Sequence, residues 1–498
     1  MPISTDNGMS TEKHESVKLA WFYGISLAFV AAVIYFLSKE MYWAAAFPAV
    51  LAIGLIAVYS LDTILLLIAF CTPLAIVLND KSSGPAISMP TEPLLFGVLC
   101  ITVFKIIHGG GFDRKIIFHP VTLSIALVLI WKLITSLTST MPVVSFKNLL
   151  SQCWFIVPFY LLGTQLFRKT VNIHRFIWLY SLGLIIVIGY TIFQHAQQGW
   201  TQKAAHWVMY PFYNDHTAYA AALAMFIPVL IAFTRLRNTL PYERFFATIA
   251  SFILVTAIIL SYTRASWISL LIALICFFIY YFRIGFWKVF FSGTILIGLF
   301  LTFQNDILMK LEKNRQDSAT DINKHLQSIS NISTDASNLE RINRWHSAIR
   351  MWEQRPFLGW GPGTYQFNYA PFQKSDEMTT ISTNAGDRGN AHSEYIGPLA
   401  ESGIFGMVNM IILAIVTLFS ATVVYSNTRN EQLRVLMLGI LLGLITYLVH
   451  GTLNNFLDTD KLSVPFWAYM AMLVSLDVYH HREEEKIGEE PQPGIHNN

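Results

Sequence analysis

Charge is scarce in this sequence. Charged residues make up 13% of its 498 residues, whereas 54% are hydrophobic, and the mean hydropathy is +0.47. Water-soluble domains carry roughly 25% charged residues, so this composition excludes an ordinary soluble fold. Apolar runs of about 18 to 22 residues, long enough to cross a bilayer as helices, recur from Val17 to Tyr479 with one long interruption. The sequence therefore predicts one integral membrane domain.

Cysteine and clustered basic charge are also sparse. Cys71, Cys100, Cys153 and Cys276 stand alone inside apolar runs, without metal-ligand spacing or a disulfide pattern, and are interpreted as small hydrophobic residues. The net charge is only +3 and the basic residues lie in short loops, so nucleic acid is not an expected partner. The sequence contains no P-loop, serine nucleophile elbow or Cys/His cluster, so we expect neither an ATP-driven machine nor a cofactor.

Hydropathy predicts an all-α polytopic membrane protein with about 12 to 14 transmembrane helices. The apolar windows lie near residues 18–37, 42–60, 61–78, 92–108, 120–138, 149–167, 174–193, 214–234, 245–263, 265–282, 285–303, 404–425, 433–453 and 462–479. The first window has no cleavage pattern behind it and is interpreted as an uncleaved span. Within residues 1–80 the number of spans stays open, because almost no loop separates the second window from the third.

The same windows divide the chain into segments. About 11 helices are expected in residues 1–303 and about three in 394–480, with a large hydrophilic loop at 304–393 and a polar tail at 481–498. Lysine and arginine concentrate in alternate short loops, for example at Arg168 and Lys169 and at Arg235 and Arg237. Because cationic loops are retained in the cytoplasm, both termini are expected there and the large loop outside, in the periplasm.

The large loop has two parts. Residues 315–338 are rich in Ser, Asn, Asp and Thr, a composition typical of a flexible stretch. Further on, Ile342, Trp345, Ile349 and Trp352 recur at three- and four-residue intervals and predict an amphipathic helix over 339–355, ending before Pro356. Such a helix could lie along the membrane surface.

Arg264 is the first candidate functional residue. It stands in the sequence SYTRASW between two apolar runs joined by almost no loop. A charge this close to hydrocarbon usually faces an internal, water-filled cavity. The alternative is an interfacial arginine whose side chain extends to the lipid headgroups, and the residue pattern alone leaves both open.

Arg341 and Arg344 on the amphipathic helix are the second candidates, and the glycine-rich turn GWGPGTY follows at Gly359 to Tyr365. Guanidinium groups hold phosphate oxygens in pairs and keep their charge, so this helix could bind a diphosphate. The alternative is a surface helix with basic residues turned toward anionic lipid. The turn does not follow a strand and matches no nucleotide-binding fingerprint.

His392 is the candidate general base, because its ordinary pKa lies near operating pH and it enters an apolar helix from the outer loop. Its alternative is a structural hydrogen bond. Glu401 follows nine residues later and either orients His392 or braces the helix. Asn214 and His216 begin another span and are supporting candidates.

Asp458 and Asp460 have the Asp-x-Asp spacing of a divalent metal site. Two acids in a short turn are more often solvated, so no metal is expected.

Taken in order, these segments resemble the O-antigen ligase and Wzy polymerase superfamily of bacterial membrane glycosyltransferases. SYTRASW is similar to that family's Ser-x-Ser-Arg-Gly element, with Thr263 and Ala265 departing from it. The segment from Arg341 to Tyr365 is similar to its Arg-x-x-x-Trp helix and Gly-x-Gly turn. AHSEYIGPLAESGIFG, from Ala391, is similar to its His-Asn-x-x-Leu-x-x-x-x-Glu element, with Ser393 in place of Asn. YPFYNDHTAYAAAL, near 210–223, resembles its Asn-Pro-Asn-x-x-Ala segment loosely.

The resemblance implies a GT-C-like fold and an inverting, metal-independent transfer of a glycan from undecaprenyl diphosphate to an acceptor hydroxyl at the bacterial inner membrane. His392 would activate the acceptor, and Arg264, Arg341 and Arg344 would bind the diphosphate.

The acceptor distinguishes the members of this superfamily. A ligase that acts on lipid A-core is favoured, a Wzy-type polymerase of glycans comes second, and a protein O-oligosaccharyltransferase third. A transporter of the lipid-linked glycan is the alternative from another class. Transporters often contain internal repeats and paired broken spans, and the sequence has neither.

Overall fold

A computed structural model describes residues 60–78, 87–109, 111–236, 241–285, 336–379 and 389–481, together with Ser382 and short pieces within 21–56 and 287–295. The windows predicted at 18–37, 42–60 and 285–303 are described only in part, and most of the flexible stretch at 315–338 and the tail from 482 lie outside the described residues. The chain divides into two compact units, Met1–Ile64 and Leu65–Asn498, and every candidate site residue lies in the second.

The described residues form helices almost throughout, which confirms the predicted all-α polytopic membrane fold. The helices are α1 Leu61–Leu74, α2 Thr91–Ile107, α3 Arg114–Ile117, α4 Pro120–Leu137, α5 Pro142–Ile156, α6 Thr170–Gln197, α7 Gln202–Ala205, α8 His216–Arg235, α9 Pro241–Leu260, α10 Arg264–Tyr281, α11 Ala336–Gln354, α12 Tyr365–Asn368, α13 Ile396–Asn427, α14 Glu431–His450 and α15 Asp460–Leu476. A π-helical segment, Val157–Leu162, and a short helix, Gly163–Leu166, extend α5; another π-helical segment, Asp477–His481, extends α15; and a 3-10 turn covers Ala370–Phe372.

Nine of the described helices are long and apolar enough to cross a membrane. Most match the predicted windows, and proline or a capping side chain marks several starts: Pro120 and Pro142 stand in the first turn of α4 and α5, and Asp215 and Asn430 cap α8 and α14. α13 is broken at Gly403, where φ is +71°, and the window predicted at 404–425 matches the part of α13 after this break.

The window predicted at 61–78 contains a shorter helix than expected. α1 ends at Leu74, directly after Pro73, and its 14 residues are fewer than the roughly 20 that a span requires. The chain continues into β1, Ile76–Leu78, which pairs antiparallel with β2, Ile87–Met89, in the register Ile76↔Met89. Each strand has only three residues, which is too few for an alternation of apolar and polar side chains to be recognised in an apolar sequence.

Close packing of small residues builds the centre of the bundle. α8 is 83% buried over its apolar window, and α15 is 89% buried. A side-chain carbon at Gly443 of α14 would lie 2.5 Å from the carbonyl oxygen of Met225, and one at Gly439 would lie 2.7 Å from Cβ of Ala232. Small residues let helix backbones approach within a membrane, so α8 and α14 are tightly apposed.

The apposed helices run in opposite directions. Met225 of α8 faces Gly443 of α14, and Ala232 faces Gly439, so α8 begins where α14 ends. α10 also begins there, because Ser266 in its first turn lies against His450, the last residue of α14. This end of the bundle is called the site end below.

α11 and α12 cover the start of α13. Their buried side chains form one apolar cluster with Tyr369, with Ala391 directly before His392 and with α13. The cluster contains Ala348, Met351, Tyr365, Tyr369, Ala391 and Ala400. α11 is the amphipathic helix predicted at 339–355, and it ends at Gln354 before Pro356 as expected. The face that packs against protein carries Arg344, Ser347, Ala348 and Met351, whereas Ile349 of the predicted apolar stripe is exposed.

Candidate active site

Arg264 is the first residue of α10, at the site end of the bundle. The preceding turn is tied down locally, because Thr263 donates to the backbone oxygen of His216 at 3.4 Å and Ser261 donates to that of Ile258 at 2.7 Å. The positive end of the helix dipole disfavours a cation there and attracts an anion. Arg264 and the first turn of α10 together therefore suit a negatively charged ligand.

The start of α8 lies beside this turn. Asp215 caps the helix by accepting from the backbone N–H of Thr217 at 2.9 Å, and its carboxylate lies 3.1 Å from Nδ1 of His216. The ring of His216 stacks on that of His206 at 4.2 Å, while Asn214 is exposed to solvent. His216 is therefore held in place by neighbouring side chains, whereas Asn214 is accessible to solvent.

Arg344 is held on the buried face of α11. Its Nε donates to Glu340 at 2.7 Å, Nη1 donates to the backbone oxygen of Asn390 at 3.2 Å, and its guanidinium lies over the ring of Tyr369. Gly389 leaves the room for it, since a side-chain carbon there would fall 1.3 Å from Nη1. Arg344 thereby fixes the backbone two residues before His392.

Glu340 is the anchor of this arrangement. Besides Arg344, it accepts from Ser382 and from Thr379, which lies at 3.1 Å. Burial opposes its ionisation, but the hydrogen bonds from Ser382 and Arg344 outweigh burial and lower the pKa of Glu340. It is therefore ionised and pairs with Arg344 at neutral pH.

Arg341 lies one turn earlier on α11 and points to a different element. Its Nε donates to the backbone oxygen of Leu453, in the turn after α14, at 3.2 Å. The side chain is only partly buried.

His392 adopts a left-handed backbone conformation with φ of +48°. Its N–H donates to the side-chain oxygen of Asn390 at 3.1 Å. Ser393 then accepts from the N–H groups of Tyr395 and Ile396, each at 3.3 Å, at the start of α13. Neighbouring residues on both sides therefore hold the backbone that carries the imidazole.

The imidazole of His392 is unprotonated at neutral pH. Burial, followed by the charges of Arg344 and Arg341, lowers its pKa to about 4, while Asp215 and Glu340 oppose the shift. The hydrogen bond from Arg344 to Asn390 joins α11 to the residues before α13, and the influence of Asp215 indicates that the start of α8 is near. The structure therefore brings together His392, Arg341 and Arg344 and places them near the start of α8.

Glu401 does not join this group. Its carboxylate accepts from the backbone N–H of Tyr365 at 3.1 Å, and its backbone oxygen accepts from that of Gly361 at 2.7 Å. These contacts attach the glycine-rich turn to α13 and link Glu401 to that turn, with no hydrogen bond to His392. Gly361 has φ of +115°, and a side-chain carbon there would lie 1.9 Å from Oγ of Ser139, so both conformation and space require glycine.

A comparison with protein families decides which proteins this site is related to. Residues 249–411 match the family model described as O-antigen ligase. This stretch of the chain is similar to the O-antigen ligase family. No curated protein matches the chain.

The O-antigen ligase match confirms the superfamily resemblance and identifies the protein as related to ligase- and polymerase-type membrane glycosyltransferases. Arg264, Arg341, Arg344, His392 and Glu401 all lie within the matched residues. Asn214 and His216 lie outside them.

The two aspartates of the Asp-x-Asp segment have different surroundings in the O-antigen ligase-like chain. Asp460 is buried and accepts from Ser88 at 2.8 Å and from Thr91, whereas Asp458 is exposed. Across the described part of the chain, no three His, Cys, Asp or Glu residues form a group suited to a metal ion. The buried position of Asp460 is therefore explained by its hydrogen bonds to Ser88 of β2 and Thr91 of α2.

Sequence reasoning missed His450. It is 1% exposed, and its nitrogens lie 3.3 Å from Oγ of Ser266 and 3.1 Å from Nδ2 of Asn454. An ionisable residue within an apolar span is a default candidate for function, and that signal was available in YLVHGTLNN.

Glu394 was missed as well. It accepts from the hydroxyl of Tyr447 at 2.6 Å and from the backbone N–H groups of Phe456 and Leu457 at 2.8 and 2.9 Å. These bonds tie the residues after His392 to the α14–α15 turn. Only the tertiary fold brings these partners together, so no local pattern indicates them.

Proposed function

We propose that this protein is an inverting glycosyltransferase that moves a glycan from undecaprenyl diphosphate to an acceptor hydroxyl on the periplasmic side of the bacterial inner membrane. The supporting observation is an unprotonated His392, held on a constrained backbone beside Arg341 and Arg344. The O-antigen ligase match over the same residues supports the reaction class. Lipid A-core is the favoured acceptor.

The reaction requires a base on one side and an anion site on the other. The acceptor oxygen forms a bond to the anomeric carbon while its proton passes to His392. The bond from that carbon to the diphosphate oxygen breaks, and the lipid diphosphate leaves with the electron pair. Because attack and departure occur on opposite faces of the sugar, the anomeric configuration inverts.

The arginines divide the work on the leaving group. Arg264, at the positive end of the α10 dipole, and Arg341, on the partly exposed face of α11, would neutralise the departing diphosphate. Fixed guanidinium groups supply the charge that a divalent metal provides in other transferases, so no metal is proposed.

Arg344 acts differently from the other two arginines. Its hydrogen bonds to Glu340 and Asn390 support its role in holding the backbone before His392, while its charge adds to the positive field of the site. Glu401 is proposed to brace the glycine-rich turn against α13.

The test is transfer by purified protein in vitro. Undecaprenyl-diphosphate glycan is supplied with lipid A-core, glycan or peptide acceptors in separate reactions, and wild type is compared with His392→Ala. We expect one acceptor to be glycosylated and the rate to fall about 100-fold or more in the variant, as for loss of a general base. His346→Ala is the matched control, because His346 is an exposed histidine of α11 that pairs with Glu377 at 3.0 Å.

Each outcome has a distinct meaning. Transfer to a glycan acceptor would make the protein a polymerase, and transfer to peptide would make it a protein O-oligosaccharyltransferase. Wild-type rates in His392→Ala would refute the assigned base. No transfer by folded wild-type protein to any acceptor would favour transport of the lipid-linked glycan.

A further inference from the structure

We infer that His450 is a positioning residue that holds Arg264 and Arg341 in register with each other at the diphosphate site. The inference rests on the proposed function, since it concerns the same site. It assigns a role to a histidine that lies outside the family match.

The hydrogen bonds of His450 define its protonation. The amide nitrogen of Asn454 donates, so Nε2 of His450 accepts, at 3.1 Å. The proton of the neutral ring then resides on Nδ1 and is donated to Oγ of Ser266 at 3.3 Å. Both ring nitrogens are engaged and the residue is 1% exposed, so His450 has no free atom for a substrate.

One of these bonds determines the position of Arg264. Ser266 lies two residues after Arg264 in the first turn of α10 and is fully buried. Only 22% of the apolar window of α10 is buried, and its buried residues are the small Ala265, Ser266, Ser269 and Ala273. Trp267 bonds to the backbone oxygen of Ile258 at 3.2 Å and Tyr280 bonds to Thr422 at 2.6 Å further along the helix. The bond from His450 acts directly on the turn that carries Arg264.

The other bond determines the position of Arg341. The backbone oxygen of His450 accepts from the N–H groups of Leu453 and Asn454, at 3.0 and 3.1 Å, and the ring holds the Asn454 side chain. The backbone oxygen of Leu453 in this turn accepts from Nε of Arg341. His450 thus contacts the turn to which the second arginine is anchored.

One imidazole therefore links two cations that come from different elements. A diphosphate presents two adjacent phosphates, so its binding depends on the spacing of the groups that contact it. An error of about 1 Å in such positioning is enough to cost 100-fold in a reacting complex. His450 does not contact the substrate, but its hydrogen bonds connect it to the two turns that position Arg264 and Arg341.

The experiment compares His450→Phe with His450→Gln. Phenylalanine keeps the ring but removes both hydrogen bonds, whereas glutamine supplies one donor and one acceptor. Binding of undecaprenyl diphosphate to purified protein is measured directly, and transfer is measured separately. We expect the Kd to rise about ten-fold in His450→Phe, the equivalent of one lost hydrogen bond, and to recover within about three-fold in His450→Gln.

One control and one further variant exclude a general effect on folding. His119→Phe removes another buried histidine, bonded to Asp477 at 3.0 Å at the opposite end of α4 from the site end, and should leave the Kd unchanged. Ser266→Ala deletes a single hydroxyl and should also raise the Kd, with no further rise when combined with His450→Phe. If His450→Phe does not fold, Ser266→Ala and His450→Gln carry the test.

The outcomes separate this inference from the proposed function. A raised Kd with recovery in His450→Gln supports the inference even if no acceptor is glycosylated. An unchanged Kd in His450→Phe and Ser266→Ala overturns it, while normal transfer would leave the proposed function standing. Failure of the wild-type protein to bind undecaprenyl diphosphate would overturn both.

Discussion

His392 combines an unusual backbone with an unusual side-chain environment. A left-handed conformation such as its φ of +48° costs a non-glycine residue about 1 to 3 kcal/mol and persists only where surrounding contacts impose it. Asn390 and Ser393 supply such contacts. The position of the imidazole is therefore set by the backbone, which suits a group that must meet a substrate oxygen.

The pH dependence of activity tests the environment of His392. A general base works only when unprotonated, and burial together with Arg344 and Arg341 lowers its pKa from the ordinary 6.5 to about 4. We therefore expect kcat/KM to be constant from neutral pH downward and to fall only near pH 4. The measurement is the transfer rate over a pH series at low substrate concentration.

Removing the positive charge of Arg341 tests how far nearby cations lower the pKa of His392. Arg341→Gln should raise the pKa of His392, because a nearby positive charge no longer disfavours the imidazolium, so the acid limb should move to higher pH. Arg355→Gln removes an exposed cation that stacks on Trp360 at 4.7 Å and should leave the limb in place. An acid limb near pH 6.5 in wild type would contradict the assigned environment.

At the scale of elements, helix ends build the site. α8 and α10 begin there, α14 ends there, and α11 lies across the start of α13. The glycine-rich turn after α11 is fastened to α13 by backbone bonds from Trp360 to Ala400 at 3.1 Å and from Gly361 to Glu401 at 2.7 Å. This turn therefore secures the segment that carries Arg341 and Arg344.

Gly361→Ala tests that turn. Alanine is strained at φ of +115°, and its side chain would collide with Ser139, so we expect a loss of about 1 to 3 kcal/mol or more. The apparent Tm in detergent should fall by several degrees. Gly189→Ala, within α6 with no neighbouring atom inside 4 Å, should leave the Tm unchanged or higher. Equal Tm values for the two variants would show that the glycine-rich turn does not stabilise the fold.

At the scale of the whole molecule, the distribution of cations predicts that the site end faces the periplasm. In a variant without the four native cysteines, Lys374→Cys should react with a membrane-impermeant thiol reagent in cells whose outer membrane is permeabilised. Asn427→Cys, exposed at the other end of α13, should react only after the inner membrane is opened. The reverse pattern would place the site in the cytoplasm.

Much of this architecture was predictable from the sequence. Apolar runs located α4, α6, α8, α9, α10, α14 and α15 to within a few residues, and three- to four-residue periodicity located α11. The β1–β2 pair was not predicted, and neither was the short helical stretch of α13 before the break at Gly403, where Gly, Pro and Glu401 lower the local hydropathy.

The candidate site was predictable only in part. His392, Arg264, Arg341 and Arg344 were recognisable because charge is rare and conspicuous in an apolar chain. Sequence could not distinguish Arg344, buried against Glu340 and Asn390, from Arg341, which is partly exposed, since both lie on one helix three residues apart. For Glu401 the residue pattern left two roles open, and only the structure shows its hydrogen bond to the glycine-rich turn.

The sequence by itself determined the class of the protein, because the free energy of hydrocarbon burial depends on composition and local periodicity alone. Tertiary structure decided which helix ends meet. The bonds of His450 to Ser266 and Asn454, and those of Glu394 to the α14–α15 turn, join residues up to 184 positions apart. Such contacts follow from the packing of whole helices, in which Gly439 and Gly443 bring α14 against α8, and no local pattern carries that information.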